Sequence, residues 1–220
     1  MKTLLSWSSG KDSAWSLHVL KSNPAVEIVG LVTTINEAFD RVAMHGVRRT
    51  VLEAQAAAAG LPLDILPLPW PCANDVYERV MATFVREQRA AGIEAMAFGD
   101  LFLQDIRAYR EAKLEGTGII PLFPLWQRPT RRLAEEMIDG GLKTVLATVD
   151  PAKVPADFAG RLFDRQLIDD LPAGVDPCGE NGEFHTCVTG GPMFSRDLDV
   201  RLGEHVTRDG FVYADIMLDG

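Results

Sequence analysis

The chain has 220 residues, 31 Asp and Glu against 22 Lys and Arg, and a formal net charge of −9. That acidic balance argues against broad binding to nucleic acid or to anionic membranes, both of which need a basic surface. No apolar run approaches the ~20 residues of a membrane helix, and the apolar start is too short for a secretion signal. The three cysteines, Cys72, Cys178 and Cys187, form no CxxC pair and argue against a disulfide framework. A chain of this kind is expected in the reducing cytoplasm, as one large domain or one domain with a small appendage; a homodimer remains open.

The first predicted element is an apolar strand ending at Trp7, followed by Ser8-Ser9-Gly10-Lys11-Asp12-Ser13 and a helical pattern over 14–21. Strand, tight turn and helix aim backbone N–H groups and the positive helix end at an anion. Gly10 can adopt a positive φ, Ser8 and Ser13 add hydroxyl donors, and Lys11 adds a compact cation that can reach a phosphate oxygen. Asp12 is placed to cap the helix, to position Mg²⁺ or to orient an attacking group. The P-loop is excluded, because Gly10-Lys11 is followed by Asp12 and no glycine stands five residues before Gly10. The stretch resembles the Ser-Gly-Gly-x-Asp-Ser pyrophosphate loop of ATP pyrophosphatases, with Ser9 in place of the first glycine.

A second buried strand is predicted over 26–34, with Thr33 and Thr34 at its carboxyl end, where ligands of open α/β sheets lie. A polar loop over 36–46 carries His45, and a helix with Val47, Val51, Leu52 and Gln55 at helical spacing ends at Gly60. A strand over 63–66 leads into Pro67, Pro69 and Pro71, with Trp70 and Cys72 in an extended loop and Cys72 read as a buried apolar residue. Asp75 is expected to cap the next helix, whose Val76, Val80 and Phe84 stack beside Tyr77, Met81 and Val85. A strand over 94–98 ends at Gly99-Asp100, and Asp100 is well placed for a ligand. A charged helix with Arg107, Arg110 and Glu111 follows. Beyond Gly116-Thr117-Gly118, Arg128, Arg131 and Arg132 near a helix start can hold phosphate or carboxylate, or be surface charge. Lys143 to Val149 is a further strand. This alternation predicts a mostly parallel sheet covered on both faces, within a domain over 1–150. The rest, over 151–220, is expected to form a smaller α+β domain: a helix over 158–171, a loop over 172–181, and a hairpin of 200–207 and 211–218 around Asp209-Gly210.

The second dense constellation runs from Asp176 to Cys187 and includes Glu180, Asn181, Glu183, His185 and Thr186 between Gly179, Gly182 and Pro177. Such a loop can bind an amine, hold Mg²⁺ or move a proton. A zinc site of Cys178, His185 and Cys187 lacks a fourth ligand and a familiar spacing. A cysteine nucleophile with His185 as base needs a lowered thiol pKa. A Gly-rich turn whose polar groups bond one another is the purely structural alternative.

Taken together, Ser8 to Ser13, Gly99-Asp100 with Arg107 and Glu111, Pro124-Leu125-Trp126, and Gly179 to Thr186 resemble the diphthine–ammonia ligase (diphthamide synthetase) family of ATP pyrophosphatases over nearly the whole chain. The resemblance implies a doubly wound nucleotide-binding domain of the adenine nucleotide alpha hydrolase (HUP) type and a smaller domain facing it. It implies ATP with Mg²⁺, a carboxylate activated as its adenylate, and ammonia as the nitrogen source. Ser8, Ser9, Gly10, Lys11, Asp12, Ser13 and Thr33 are then expected at ATP, and Lys11, Asp12, Glu180 and Glu183 in catalysis. His45, Gly99, Asp100, Glu180, Asn181, Glu183, His185 and Thr186 are expected at the acceptor, a free or protein-borne carboxylate. Where that family tends to carry Ser-Asp-Tyr-Gln, this chain reads Leu103-Gln104-Asp105-Ile106, so the acceptor differs in its surroundings. A nucleotide sensor without turnover, or an RNA-modifying enzyme with the same loop, are the competing readings.

Overall fold

Leu4 and Leu5 are adjacent, both buried, and point to opposite faces of one sheet, so the first strand must be covered on both sides. A computed structural model describes residues 1–219. In chain order the elements are β1 (Lys2–Ser6), α1 (Lys11–Lys21), β2 (Glu27–Asn36), β3 (Arg41–Val42), α2 (Arg49–Ala59), β4 (Leu63–Leu68), α3 (Asn74–Ala90), β5 (Ala95–Ala97), α4 (Gln104–Leu114), β6 (Ile120–Leu122), α5 (Thr130–Asp139), β7 (Lys143–Val149), α6 (Arg165–Asp170), β8 (Phe184–Gly190), β9 (Val200–Arg208) and β10 (Phe211–Leu218).

β1 pairs in parallel with β2 on one side and β5 on the other, β4 adds in parallel to the far side of β2, and β6 adds to β5. The parallel order is therefore β4-β2-β1-β5-β6, with β3 antiparallel at the end of β2. The order reverses between β1 and β5, and in open α/β sheets the crevice beyond such a reversal takes the ligand. Leu5, Leu31 and Ala97 pack toward α1 and α2 in one core, while Leu4, Val32 and Met96 pack with Phe84 and Val85 of α3 and Leu114 of α4 in another. The chain is thus α/β with a mostly parallel sheet, and no helix is long and apolar enough to cross a membrane among the described residues.

The second sheet is antiparallel, in the order β8-β7-β10-β9. Here the structure departs from the sequence expectation. Lys143–Val149, read as part of the parallel alternation, pairs instead with Phe184–Gly190 and with Val212 and Tyr213. Its side chains are buried on both faces except Lys143, so its apolar run suits either sheet. β8 was expected as part of a polar loop and is a strand. The helix expected over 158–171 is confined to Arg165–Asp170, capped by Asp164 accepting from the Leu167 N–H at 2.8 Å. The hairpin forms as expected, with Asp209 and Gly210 both at positive φ, as a two-residue turn of that hand requires.

Three smaller expectations are also revised. Asp75 does not cap α3 but pairs with Arg79 at 2.6 Å. Cys72 is only partly buried. Of the six apolar residues expected in the α3 core, Phe84 and Val85 are fully buried and the others lie at its margin. Arg128 and Arg131 pair with Glu136 and Asp169 on the surface, so that end of α5 is solvated charge and takes no part in the crevice.

Candidate active site

The crevice at the reversal is a cleft of about 740 Å³, lined from β1, the α1 start, the carboxyl ends of β2 and β5, the loop before α2, and the 178–186 segment. The loop after β1 turns at Ser9, which holds φ of +67°, while Gly10 is extended at φ −90°. The left-handed residue is therefore the serine, and the freedom of Gly10 is not used for a positive φ. Gly10 is required for a different reason: a Cβ there would meet His45 Cε1 at 2.7 Å and the Thr186 carbonyl at 3.3 Å. Gly99 is constrained similarly, because a Cβ would lie 2.9 Å from the Asp12 carbonyl carbon and 3.0 Å from the Ser13 nitrogen. The end of β5 thus lies against the first turn of α1, whose N–H groups lack intrahelical partners.

The loop is closed from behind by β8. The Val188 N–H donates to the Ser9 carbonyl at 2.9 Å. The Lys11 N–H donates to Thr186 Oγ1 at 3.0 Å. Gln55, fully buried on α2, fastens this junction: its Nε2 donates to the carbonyls of Ser9 at 3.1 Å and Val188 at 2.7 Å, and its Oε1 accepts from Trp7 Nε1 at 3.0 Å. Sequence reading placed Gln55 on the helix but found no task for it; a polar residue at a core-facing position was the available signal.

The predicted residues divide by where the fold puts them. Ser8, Lys11, Asp12, Ser13, Thr33, His45, Gly99, Asp100, Glu180, Asn181, His185 and Thr186 all line the cleft. Ser9 is wholly buried beneath it. Glu183 is buried inside the acidic loop, outside the lining. Its carboxylate accepts from the backbone N–H groups of Asp176 at 3.1 Å and Asn181 at 2.9 Å and from Asn181 Nδ2 at 3.1 Å, so it shapes the loop from within. Asp176 does the same, accepting from the N–H groups of Cys178 and Glu180.

Lys11 was expected to reach toward phosphate. Its ammonium instead donates to Asp12 Oδ2 at 2.8 Å and to the Cys178 carbonyl, between the faces of Phe163 and Phe184. Burial opposes the charge, yet Asp12 beside it keeps the lysine above its ordinary pKa. Burial in turn pushes the Asp12 carboxyl up, against the pull of Lys11. Asp12 does not cap α1, and its Oδ1 is buried with no partner among the described residues. A buried carboxylate oxygen without a donor is costly and marks a place where a ligand or ion completes the site.

Glu180 joins the acidic loop to the end of β5 by accepting from the Leu101 N–H at 2.7 Å. Burial pushes its pKa up to about 7, helped by Asp12 and Asp100. Asp100 itself is held by Arg110, with Nε at 2.7 Å. Arg107 lies outside the cleft, stacked between Phe123 and Trp126 and paired with Glu111 at 2.8 Å, so these residues brace α4. His45 and His185 stack with ring centroids 4.6 Å apart. Burial takes His45 down to about 3 and His185 to about 4, so both imidazoles are neutral at pH 7. Burial pushes the Cys187 thiol up to about 12 and the Cys178 thiol also strongly upward, so neither carries the lowered pKa of a nucleophile. No group of three or more His, Cys, Asp or Glu side chains converges to hold a metal ion by itself among the described residues.

Compared with known families, residues 1–119 match the model of the diphthamide synthase N-terminal domain, and residues 129–217 match that of the diphthamide synthase C-terminal domain. The chain belongs to the diphthamide synthase family. Relatives within it are named diphthine–ammonia ligase. The Bos taurus protein is 24% identical across 95% of this chain and 86% of its own length. The Rattus norvegicus protein is 26% identical over the same shares. The Schizosaccharomyces pombe protein is 27% identical over 51% of this chain and 20% of its own length. For a diphthamide synthase family member, the two matched regions meet at the cleft: the first supplies the loop after β1 and the end of β5, the second the acidic loop and β8.

Proposed function

We propose that this chain is an ATP-dependent, AMP- and pyrophosphate-forming ligase that joins ammonia to a carboxylate. The observation that carries the reading is the junction of the Ser8–Ser13 loop with β8 and Gly99, which opens the first turn of α1 into the cleft at the sheet reversal. The names of the relatives support a ligase using ammonia.

A carboxylate resists attack by an amine until one oxygen becomes a good leaving group. In the proposed reaction the acceptor oxygen attacks the α-phosphorus of ATP and the bond to the β-phosphate oxygen breaks, releasing pyrophosphate. Ammonia then attacks the acyl carbon, a proton leaves the nitrogen, and AMP departs with the acyl-bound oxygen. The hydroxyls of Ser8 and Ser13 and the N–H groups of Asp12 and Ser13 in the first α1 turn suit the charge that gathers on the leaving phosphates. Lys11 serves this reading as a buried tie that fixes the acidic loop against the nucleotide loop. Glu180, poised near neutrality, is the group suited to take the proton from the incoming nitrogen.

Mg²⁺ is commonly held by one or two carboxylates together with substrate phosphates. The unpartnered Oδ1 of Asp12 on the cleft wall fits the one-carboxylate form of that donor set. When bound, the ion would neutralise phosphate charge. The acceptor and ammonia are assigned to the side of the cleft formed by His45, Asn181, His185 and Thr186.

The deciding experiment incubates the protein with ATP, ammonium and a panel of carboxylates and identifies the nucleotide product. AMP with pyrophosphate is expected; ADP with inorganic phosphate would overturn the reading.

A further inference from the structure

A second chamber, of about 760 Å³, lies between the loop over 36–46, the segment around Trp70 and the β9–β10 hairpin. It shares one wall with the nucleotide cleft: Val42, Ala43 and Met44 line both. We propose that this chamber receives the body of the carboxylate acceptor, a flat, largely apolar acid, whose carboxylate passes Met44 to reach the nucleotide. The inference rests on the proposed ligase reading and names the class of acceptor.

Four of its lining side chains are aromatic. The rings of Phe39 and Trp70 meet edge to face at 5.8 Å, and Phe211 and Tyr213 line the hairpin side. Trp70 is 57% exposed and Met44 66%, an arrangement that leaves large apolar side chains in water unless something covers them. Charge on the walls is balanced. Arg41 and Arg48 both pair with Asp215, Arg201 pairs with Asp219, and the Arg208 guanidinium lies over the Phe39 ring at 4.4 Å beside Asp209 and Glu204. Such walls suit a hydrophobic body and give a polyanion such as RNA nothing to hold.

The shared wall is built rather than incidental. Arg41 donates to the Gly46 carbonyl at 2.7 Å and to Asp215 at 3.0 Å, and Arg48 grips Asp215 with two nitrogens. Thr148 Oγ1 donates to the His45 carbonyl at 3.0 Å. Gly46, at φ +67°, packs so closely under Tyr213 that a Cβ would lie 2.6 Å from its ring. The segment therefore stands fixed, with the His45 ring on the nucleotide side and Gly46 under Tyr213 on the other. A carboxylate whose reaction lies in the first cleft can leave its body in the second by crossing the wall of Val42, Ala43 and Met44 that the two share.

The test uses the full chain with a non-hydrolysable ATP analogue and titrates naphthoate and acetate while Trp70 emission is followed, with Trp70→Phe as the spectroscopic blank. Naphthoate is expected to change Trp70 emission saturably and acetate not. Phe39→Ala and Phe211→Ala should each weaken naphthoate by roughly tenfold, the scale of one lost aromatic contact, with analogue affinity unchanged. Absent naphthoate binding, or binding indifferent to both variants, overturns the proposal. So does a concentration-dependent dimer, disrupted by Val206→Arg, that covers the chamber in solution. Analogue binding is read separately by calorimetry: its failure removes the ligase reading, whereas naphthoate failure with the analogue bound removes the chamber assignment alone.

Discussion

His45 and His185 come from opposite parts of the chain and their rings pack at a 34° tilt with centroids 4.6 Å apart, with His45 Nδ1 at 3.1 Å from the Thr186 carbonyl. Neither ring can take a proton cheaply, because each would charge a poorly solvated site beside the other and near Lys11. A histidine whose folded pKa lies at about 3 or 4, below its ordinary 6.5, binds its proton only on unfolding within that window. Stability from these two groups is therefore full above pH 6.5 and is lost as pH falls toward the folded values. Glu180 runs the opposite way, its folded pKa of about 7 lying above 4.5, and stays in both proteins compared here. Relative to a His45→Gln, His185→Gln double variant, the natural chain should lose about 2 kcal/mol between pH 6.5 and 5, after allowance for the open cleft. Urea midpoints of both proteins across that range measure it; parallel curves would refute it.

Gly10→Ala should weaken ATP without a backbone penalty. Its φ of −90° and ψ of 172° suit any residue, so the effect must come from the His45 ring at 2.7 Å from the new Cβ. A cost of about 1–3 kcal/mol is expected for overpacking of this kind. His45→Ala in the same chain should recover most of it. A double-mutant cycle on stability and on nucleotide affinity reads the coupling; additive effects would show that the clash is relieved elsewhere.

Gln55→Leu should destabilise the fold by about 2–4 kcal/mol, because it leaves Trp7 Nε1 and the Val188 carbonyl without partners in the interior. Gln55→Glu should do no better, since a carboxylate cannot donate to the Ser9 and Val188 carbonyls. Chemical denaturation together with ATP affinity measures both. A stable variant with unaltered nucleotide binding would mean that the loop after β1 holds its turn unaided.

The proton-accepting task assigned to Glu180 predicts a specific pH profile. Its ionised form is the useful one, so the amide-forming half-reaction, started from preformed adenylate, should rise as pH climbs through about 7. Glu180→Gln should be slower by roughly 100-fold or more and lose that inflection. An unchanged profile in the variant would move the proton to another group.

Thiol chemistry gives a direct check on packing. Cys178 and Cys187 are buried, with pKa values raised by that burial, whereas Cys72 is partly open. At pH 8 a thiol reagent should modify Cys72 alone in the native protein and all three cysteines in denaturant. Rapid native labelling of Cys178 would contradict its place behind Lys11.

How much of this was legible before the structure depended on whether the signal was local. Leu4 and Leu5 between polar neighbours fix a two-sided strand, and Asp209-Gly210 between alternating runs fixes a hairpin; both are short-range physics. The grouping of Ser8–Ser13 with Gly99 and Asp100 followed from a rule about strand ends, and these residues do meet. Lys143–Val149 was misplaced because an apolar run says only that both faces are covered, not by which sheet. Phe184–Gly190 escaped as a strand because its first residues read as polar motif, although its later Val and Thr favour extension. Gln55, and the inward turn of Glu183, depend on partners 46 to 133 residues away or on the exact curl of one loop. No periodicity reports such things.

Thr186 and Val188 hold the turn that precedes α1 across some 175 positions of sequence. The cleft is thus completed only when the late part of the chain has folded back onto it. An amino-terminal fragment ending near Gly118 would keep the Gln55 bond to the Ser9 carbonyl but lose the ties that Val188 and Thr186 make to the turn. Neither matched region alone therefore contains the closed turn: one supplies the loop and the other the strand that ties it.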